Sequence, residues 1–304
     1  MSRIHEALKK AAEERNAQTT SRSVSDLVEL SGQEVAIETP RTAEIERAAS
    51  VPPQRIDPSA FKFDDFVKQC RPADWKVEAL PGVFSPKAGH QSGAEKFRTL
   101  RSRLYQIDAV QPVKKLLITS SAPAEGKTFV AANLAQSFIR QTDRRVLLID
   151  SDLRASRLHL HLGAPEKPGL SDYLCGNCDV FKVVQVGAGG NLCLIPGGSD
   201  VTNPSELLHS ERMKQLLDQM SQLFDWIILD SPPALAVHDA SILADMCDGV
   251  LFVLRAGSTD YALAEKASAE FREKNLLGVV LNRVEKSDSY GDYYYGYEPG
   301  RKGD

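Results

Sequence analysis

The chain has 304 residues, 42% of them hydrophobic, enough apolar material for one large domain or two modest ones. A formal net charge of -4 with 26% charged residues lacks the basic excess that nucleic acid as a main partner would require. The five cysteines form no framework and the opening "MSRIHEALKK" has no apolar signal-peptide core, so a reducing cytoplasm is the expected compartment.

Residues 1–18 place Ile4, Ala7, Leu8 and Ala11 at helical spacing among good helix formers, which predicts a short amphipathic helix. Residues 19–60 are polar and dotted with Ser, Thr and Pro. They lack the apolar surface that would offset ordering entropy and read as a flexible linker. Residues 61–90 mix Trp75 and several Phe with Pro and Gly and read as an irregular lead-in. The texture changes in residues 91–285. Apolar runs at Leu116–Thr119, Val146–Ile149, Leu192–Ile195, Trp226–Leu229, Val250–Leu254 and Leu277–Leu281 alternate with helical stretches. Strands that are apolar on both faces predict an α/β fold with a mostly parallel sheet flanked by helices. "CGNC" at Cys175–Cys178 has no second pair and is read as incidental. The longest apolar runs, such as "GVLFVLRAG", are about half the ~20 residues of a membrane helix. Residues 286–304 lose all periodicity yet gather Tyr290, Tyr293, Tyr294, Tyr295 and Tyr297, five of the eight tyrosines, on a Gly-punctuated tail with no core to bury them.

The first chemistry lies in "LLITSSAPAEGKTFVAANLA", an apolar strand, a turn of small residues and a helix. Such a turn, here Ser121, Ala122, Pro123, Ala124, Glu125 and Gly126 leading through Lys127 and Thr128 to Phe129, is a nucleotide-binding P-loop. Its amides cradle phosphates, the lysine reaches the β/γ oxygens and the hydroxyl binds Mg²⁺. Ser121 stands where Gly or Ala is usual, and Ala124 where a second Gly is common. Two further strands end in acids, "VLLIDSDLR" in Asp150 and Asp152, followed by Arg154, and "WIILDSPP" in Asp230. In a parallel sheet the carboxyl ends of neighbouring strands line one crevice, so these acids are expected to converge on the P-loop. Lys127, Asp150, Asp152 and Asp230 are the candidate catalytic residues. Thr128, Asp150 and Asp230 are the candidate metal ligands, with ATP and Mg²⁺ as cofactors.

The three segments Ser121–Thr128, Val146–Arg154 and Ile227–Pro232 resemble, in order and spacing, the nucleotide motifs of the bacterial tyrosine kinases of capsule and exopolysaccharide export. The resemblance extends through "GLSDYL", "NPSELL", "DASILADMCDGVLFVLRAGST" and "GVVLNRV", over roughly residues 91–297. The opening "MSRIHEALKKA" resembles the exopolysaccharide autokinase subgroup of PEP-CTERM/exosortase loci. The resemblance implies a deviant-Walker fold related to MinD and ParA, transfer of phosphate from MgATP to tyrosine, and Asp152 as the base. It also implies adenine contacts from Asn282 and Arg283, and a ring-like homo-oligomer joined through Glu95, Arg98 and Arg101 of "EKFRTLR". The tail tyrosines would be the sites of autophosphorylation in trans. A membrane-embedded polysaccharide chain-length regulator would be the activating partner, holding the protein peripherally at the inner membrane. Two rival readings share the motifs: a MinD/ParA-like organising ATPase and a non-catalytic, nucleotide-gated scaffold. The first carries a signature lysine where this chain has Ala122, and the intact set of charged groups speaks against the second.

Overall fold

The computed structural model describes residues 62–73, 75, 91–141, 144–187 and 189–284. The expected N-terminal helix, the linker and the tyrosine tail lie outside the described residues.

Six strands fall on the six apolar runs, to within a residue at each end: β2 (Lys115–Ser120), β3 (Val146–Asp150), β5 (Leu192–Ile195), β6 (Trp226–Asp230), β7 (Gly249–Arg255) and β8 (Leu276–Asn282). Two short strands, β1 (Arg71–Pro72) and β4 (Gln185–Val186), complete an eight-stranded sheet in the order β1-β4-β5-β3-β6-β2-β7-β8. Only the β4–β5 pair is antiparallel.

The central strands are mostly apolar because both of their faces are covered, whereas the edge strand β8 leaves Val279 and Leu281 exposed. Leu117, Leu147, Ile149, Ile227 and Leu229 enter one core, and Leu116, Ile118, Val146, Leu148 and Ile228 enter the other, with the side-chain period of 2 that a strand imposes. The second core is closed by α2 (Gln91–Asp108), α3 (Lys127–Ile139) and α4 (Leu158–Leu162). α3 is buried nearly all round, and Ala131, Ala132 and Ala135 allow its close approach to the sheet. Phe138 on α3 stacks on Trp226 at 4.4 Å, a pair worth about 0.5–1.5 kcal/mol beyond its area. The first core is closed by α5 (Leu170–Leu174), α6 (Val180–Val183), α7 (Pro204–Leu208), α8 (Glu211–Leu223), α9 (Asp239–Ala244) and α10 (Tyr261–Ala269).

The irregular lead-in expected over residues 61–90 holds a helix, α1 (Phe63–Gln69), which belongs to the first core. Phe63 and Phe66 lie on one face at helical spacing and meet Phe224 edge-on, with centroids 5.3 and 6.2 Å away. The Trp75 indole donates to Gln185 Oε1 at 3.3 Å. The fold therefore starts before residue 91. Two aromatic anchors in a seven-residue helix are too brief a pattern to stand out among prolines and glycines.

Candidate active site

β2 ends at Ser120 and α3 begins at Lys127, so residues 121–126 form the turn expected of a phosphate loop. The turn is pinned from within. Glu125 is only 4% exposed, and its carboxylate accepts from the Ser121 hydroxyl at 2.8 and 2.9 Å, the Ala122 amide at 2.8 Å and the Thr259 hydroxyl. From the β8 side, Asn282 Nδ2 donates to the Glu125 carbonyl at 2.9 Å. Gly126 has φ 100°, which favours glycine, and a Cβ there would lie 1.9 Å from Asn282 Nδ2 and so displace that side chain. Ala124, where a second glycine is common, is held at φ 65°. The Ala122 N–H is taken by Glu125 and Pro123 has none. The cradle for an anion is thus the run of amides from residue 124 into the first turn of α3.

The acids converge as expected. Asp150 and Asp230 are register partners at the ends of β3 and β6, and Asp230 also stands beside Ile118 of β2. Lys127 Nζ lies 3.0 Å from Asp152 Oδ2. Burial acts to lower the Lys127 pKa, but Asp230, Asp152 and Asp150 together hold it above the ordinary lysine value. Burial pushes Asp230 up to about 7, with Lys127 opposing and Asp150 adding to the rise. Burial likewise raises Asp150, against the hydrogen bonds it accepts.

The two buried acids differ in their partners. Asp150 Oδ2 accepts from Ser156 Oγ (2.8 Å), Arg157 N (3.1 Å) and Leu158 N (2.9 Å), and Oδ1 from Asp152 N (3.2 Å). Both oxygens accept from the loop after β3, so Asp150 shapes that loop; Oδ1 carries a single bond, and the metal ligation expected of Asp150 is compatible with it. Gly197 makes room for the arrangement, since a Cβ there would lie 2.5 Å from Ser156 Oγ. Asp230 instead has the Thr128 hydroxyl close enough to oppose the rise in its pKa, and keeps Oδ1 buried without a partner. That orphaned oxygen beside a hydroxyl at the mouth of the phosphate turn fits a divalent cation. Among the described residues no group of three or more His, Cys, Asp or Glu could hold a metal, so phosphate oxygens and water must supply the other ligands.

Residues 116–265 match the AAA domain model AAA_31. The tyrosine-protein kinase YwqD of Bacillus subtilis is 36% identical over 207 residues, 67% of this chain and 86% of that protein. The chain belongs to the bacterial tyrosine-protein kinases. Tyrosine-protein kinase wzc of Salmonella typhimurium is 38% identical over 208 residues, again 67% of this chain, but the match spans only 29% of that longer relative. The kinase domain of the Escherichia coli tyrosine kinase ETK has a TM-score of 0.64 at 34% identity, over 72% of this chain and 86% of that domain.

The other expected site residues of the kinase are divided. Asn282 ends β8 against the P-loop, where it braces Glu125, and exposed Arg283 follows it, donating its N–H to Asn282 Oδ1. Glu95 and Arg98 form an exposed ion pair on α2, whereas Arg101 turns inward and donates to the Ser137 carbonyl of α3. The candidate phosphorylation sites Tyr290, Tyr293, Tyr294, Tyr295 and Tyr297 lie outside the described residues. The Cys178 thiol is pushed up to about 11, chiefly by burial, which suppresses its thiolate. No helix among the described residues is long and apolar enough to cross a membrane. Sequence reasoning missed Thr259 as a partner of the P-loop. The one signal was an acid, Glu125, in a turn that should favour anions.

Proposed function

We propose that the kinase transfers the γ-phosphoryl group of MgATP to tyrosine hydroxyls on the tails of neighbouring copies. The observation that carries this reading is the Lys127–Asp152 ion pair at 3.0 Å, set between the P-loop and the unpartnered oxygen of Asp230. Magnesium supplies charge neutralisation when bound, held by Thr128 and Asp230. Lys127 leaves Asp152 for the phosphate oxygens, and this single movement frees a carboxylate close to the transferred group. Asp152 Oδ2 then accepts the proton of the tyrosine hydroxyl as its oxygen bonds to phosphorus and the bond to ADP breaks. The catalytic contribution is positioning and charge, from groups already fixed by the sheet.

The tail tyrosines are the acceptors in this proposal because "YGDYYYGY" offers several hydroxyls on a segment with few apolar residues to bury. The short stretch "EKSDS" that joins it to the last strand favours a neighbour's site over its own. Several phosphates on adjacent tails, each adding about -1.5 to -2 charges, would repel and loosen the oligomer. Exopolysaccharide assembly beside a membrane-embedded chain-length regulator is the setting that the motifs support, with residues 1–18 as a docking element on the 19–60 linker. To test the reaction, Lys127→Met protein with an intact tail is mixed with active protein whose five tail tyrosines are Phe. Phosphotyrosine is expected on the inactive chain. If that chain stays unphosphorylated while the two demonstrably associate, transfer between chains is wrong.

A further inference from the structure

Arg154 stands two residues beyond Asp152 and has no part in the reaction as described. Its Nε donates to Asp239 Oδ2 at 2.8 Å, and Nη2 reaches Ser205 Oγ at 2.8 Å and Asp239 Oδ1 at 3.4 Å. Ser205 Oγ donates in turn to Asp239 Oδ1 at 2.5 Å. The Asp239 side chain is fully enclosed, while that of Arg154 is 40% exposed. Three separate pieces of chain meet here: the loop after β3, the second residue of α7 and the first residue of α9.

A buried ion pair is a weak source of stability, because desolvation takes back much of the Coulomb gain and apolar residues of similar volume would serve as well. What it supplies is geometry. The guanidinium fork fixes direction as well as distance. Its two acceptors sit on helices already seated in the core by Leu207, Leu208, Ala240 and Leu243. The loop that carries Asp152 is therefore fastened twice, around Asp150 through Ser156, Arg157 and Leu158, and to α7 and α9 through Arg154.

We infer that Arg154 is a positioning residue for phosphoryl transfer, and that the Arg154–Asp239–Ser205 clasp holds the Asp152 carboxylate in place opposite Lys127. The inference deepens the kinase reading and rests on it. Arg154→Gln strands a buried carboxylate and should lower both Tm and rate, which does not separate position from stability. Arg154→Gln combined with Asp239→Asn removes both charges and should bring Tm back toward that of the unaltered chain. The rate of γ-phosphoryl loss from MgATP should nevertheless stay about 10²-fold low, with ATP affinity unchanged, as misplacement of a reacting group by about 1 Å predicts. Arg154→Lys keeps the charge without the fork, and should hold Tm while losing about tenfold in rate. Recovery of rate together with Tm in the double variant, or full rate in Arg154→Lys, would overturn the inference. So would a loss that falls on ATP affinity and leaves kcat intact. ATP consumption and phosphotyrosine are measured side by side in the full chain. If the unaltered chain consumes ATP without making phosphotyrosine, the kinase reading fails, and the clasp is still judged by ATP consumption.

Discussion

Glu125 is the sharpest point at which to perturb the site, because two effects of opposite sign meet there. Glu125→Ala removes a carboxylate that accepts from the Ser121 hydroxyl, the Ala122 amide and the Thr259 hydroxyl. Hydrogen bonds to a charged group are worth about 1.5–3 kcal/mol each, but half-exposed Ala122 can turn to water, so the net loss should be about 2–4 kcal/mol. For a domain of this size that lowers Tm by roughly 4–16 °C. Against this, removing a negative charge from beside a phosphate site should favour nucleotide. Thr259→Val separates the two, since it takes away one clasp and leaves the charge in place. If the brace dominates, both variants bind ATP more weakly, with Thr259→Val the milder. If charge dominates, Glu125→Ala binds more tightly and Thr259→Val hardly changes. Thermal melts and fluorescent-nucleotide titration read the two quantities. Tm within about 1 °C of the unaltered chain, with undiminished ATP affinity in both variants, would refute the brace.

Gly126→Ala and Ala124→Gly should act in opposite directions on Tm. The first adds about 1–2 kcal/mol of left-handed strain and drives Asn282 off the Glu125 carbonyl. The second relieves similar strain at φ 65°, against about 0.5–1 kcal/mol of added chain entropy. The Asp230 carboxyl has a folded pKa of about 7 against 3.8 for the free side chain, so the native state holds the extra proton and its stability falls as pH rises between those values. The nucleotide-free kinase should therefore melt higher near pH 5 than near pH 8. Asp230→Asn should flatten part of that slope and melt above the unaltered chain near pH 8 while losing phosphotransfer; a melt that instead rises with pH in the unaltered chain would contradict this. Arg98→Ala is the informative change for oligomerisation, because Arg101 is engaged with Ser137 of its own chain. Light scattering should show a smaller species with ATP binding intact.

The parts of this molecule that were legible in the sequence are those where one physical demand acts alone. The six long strands could be read because a sheet with helices on its faces favours apolar residues up to the strand's carboxyl end, as the buried run Val146–Ile149 ahead of Asp150 shows. The P-loop and the acid cluster could be read because phosphate chemistry needs lysine, hydroxyl and carboxylate at the ends of adjacent strands. α1 could not, since Phe63 and Phe66 acquire meaning only against Phe224, some 160 residues later. The different hydrogen-bond partners of Asp150 and Asp230 were also illegible. Both end an apolar strand in the same way, and only the loop that folds back to donate to Asp150, and leaves Asp230 Oδ1 without a donor, distinguishes them.

That distinction explains why the site is built with more acid than base. Asp150, Asp152 and Asp230 face one ammonium, Lys127, so the four groups when ionised sum to -2. Burial answers part of this excess by raising Asp150 and Asp230, which costs stability near neutral pH. On the proposed function a divalent cation would answer it more fully, because its charge equals the excess and the unpartnered Asp230 oxygen would be available to meet it. With that charge present Lys127 would no longer be needed by the acids and could turn to phosphate. On the proposed function, the electrostatic strain of the nucleotide-free crevice would make loading release the lysine, and the release would leave Asp152 as the base, on a loop anchored at Asp150.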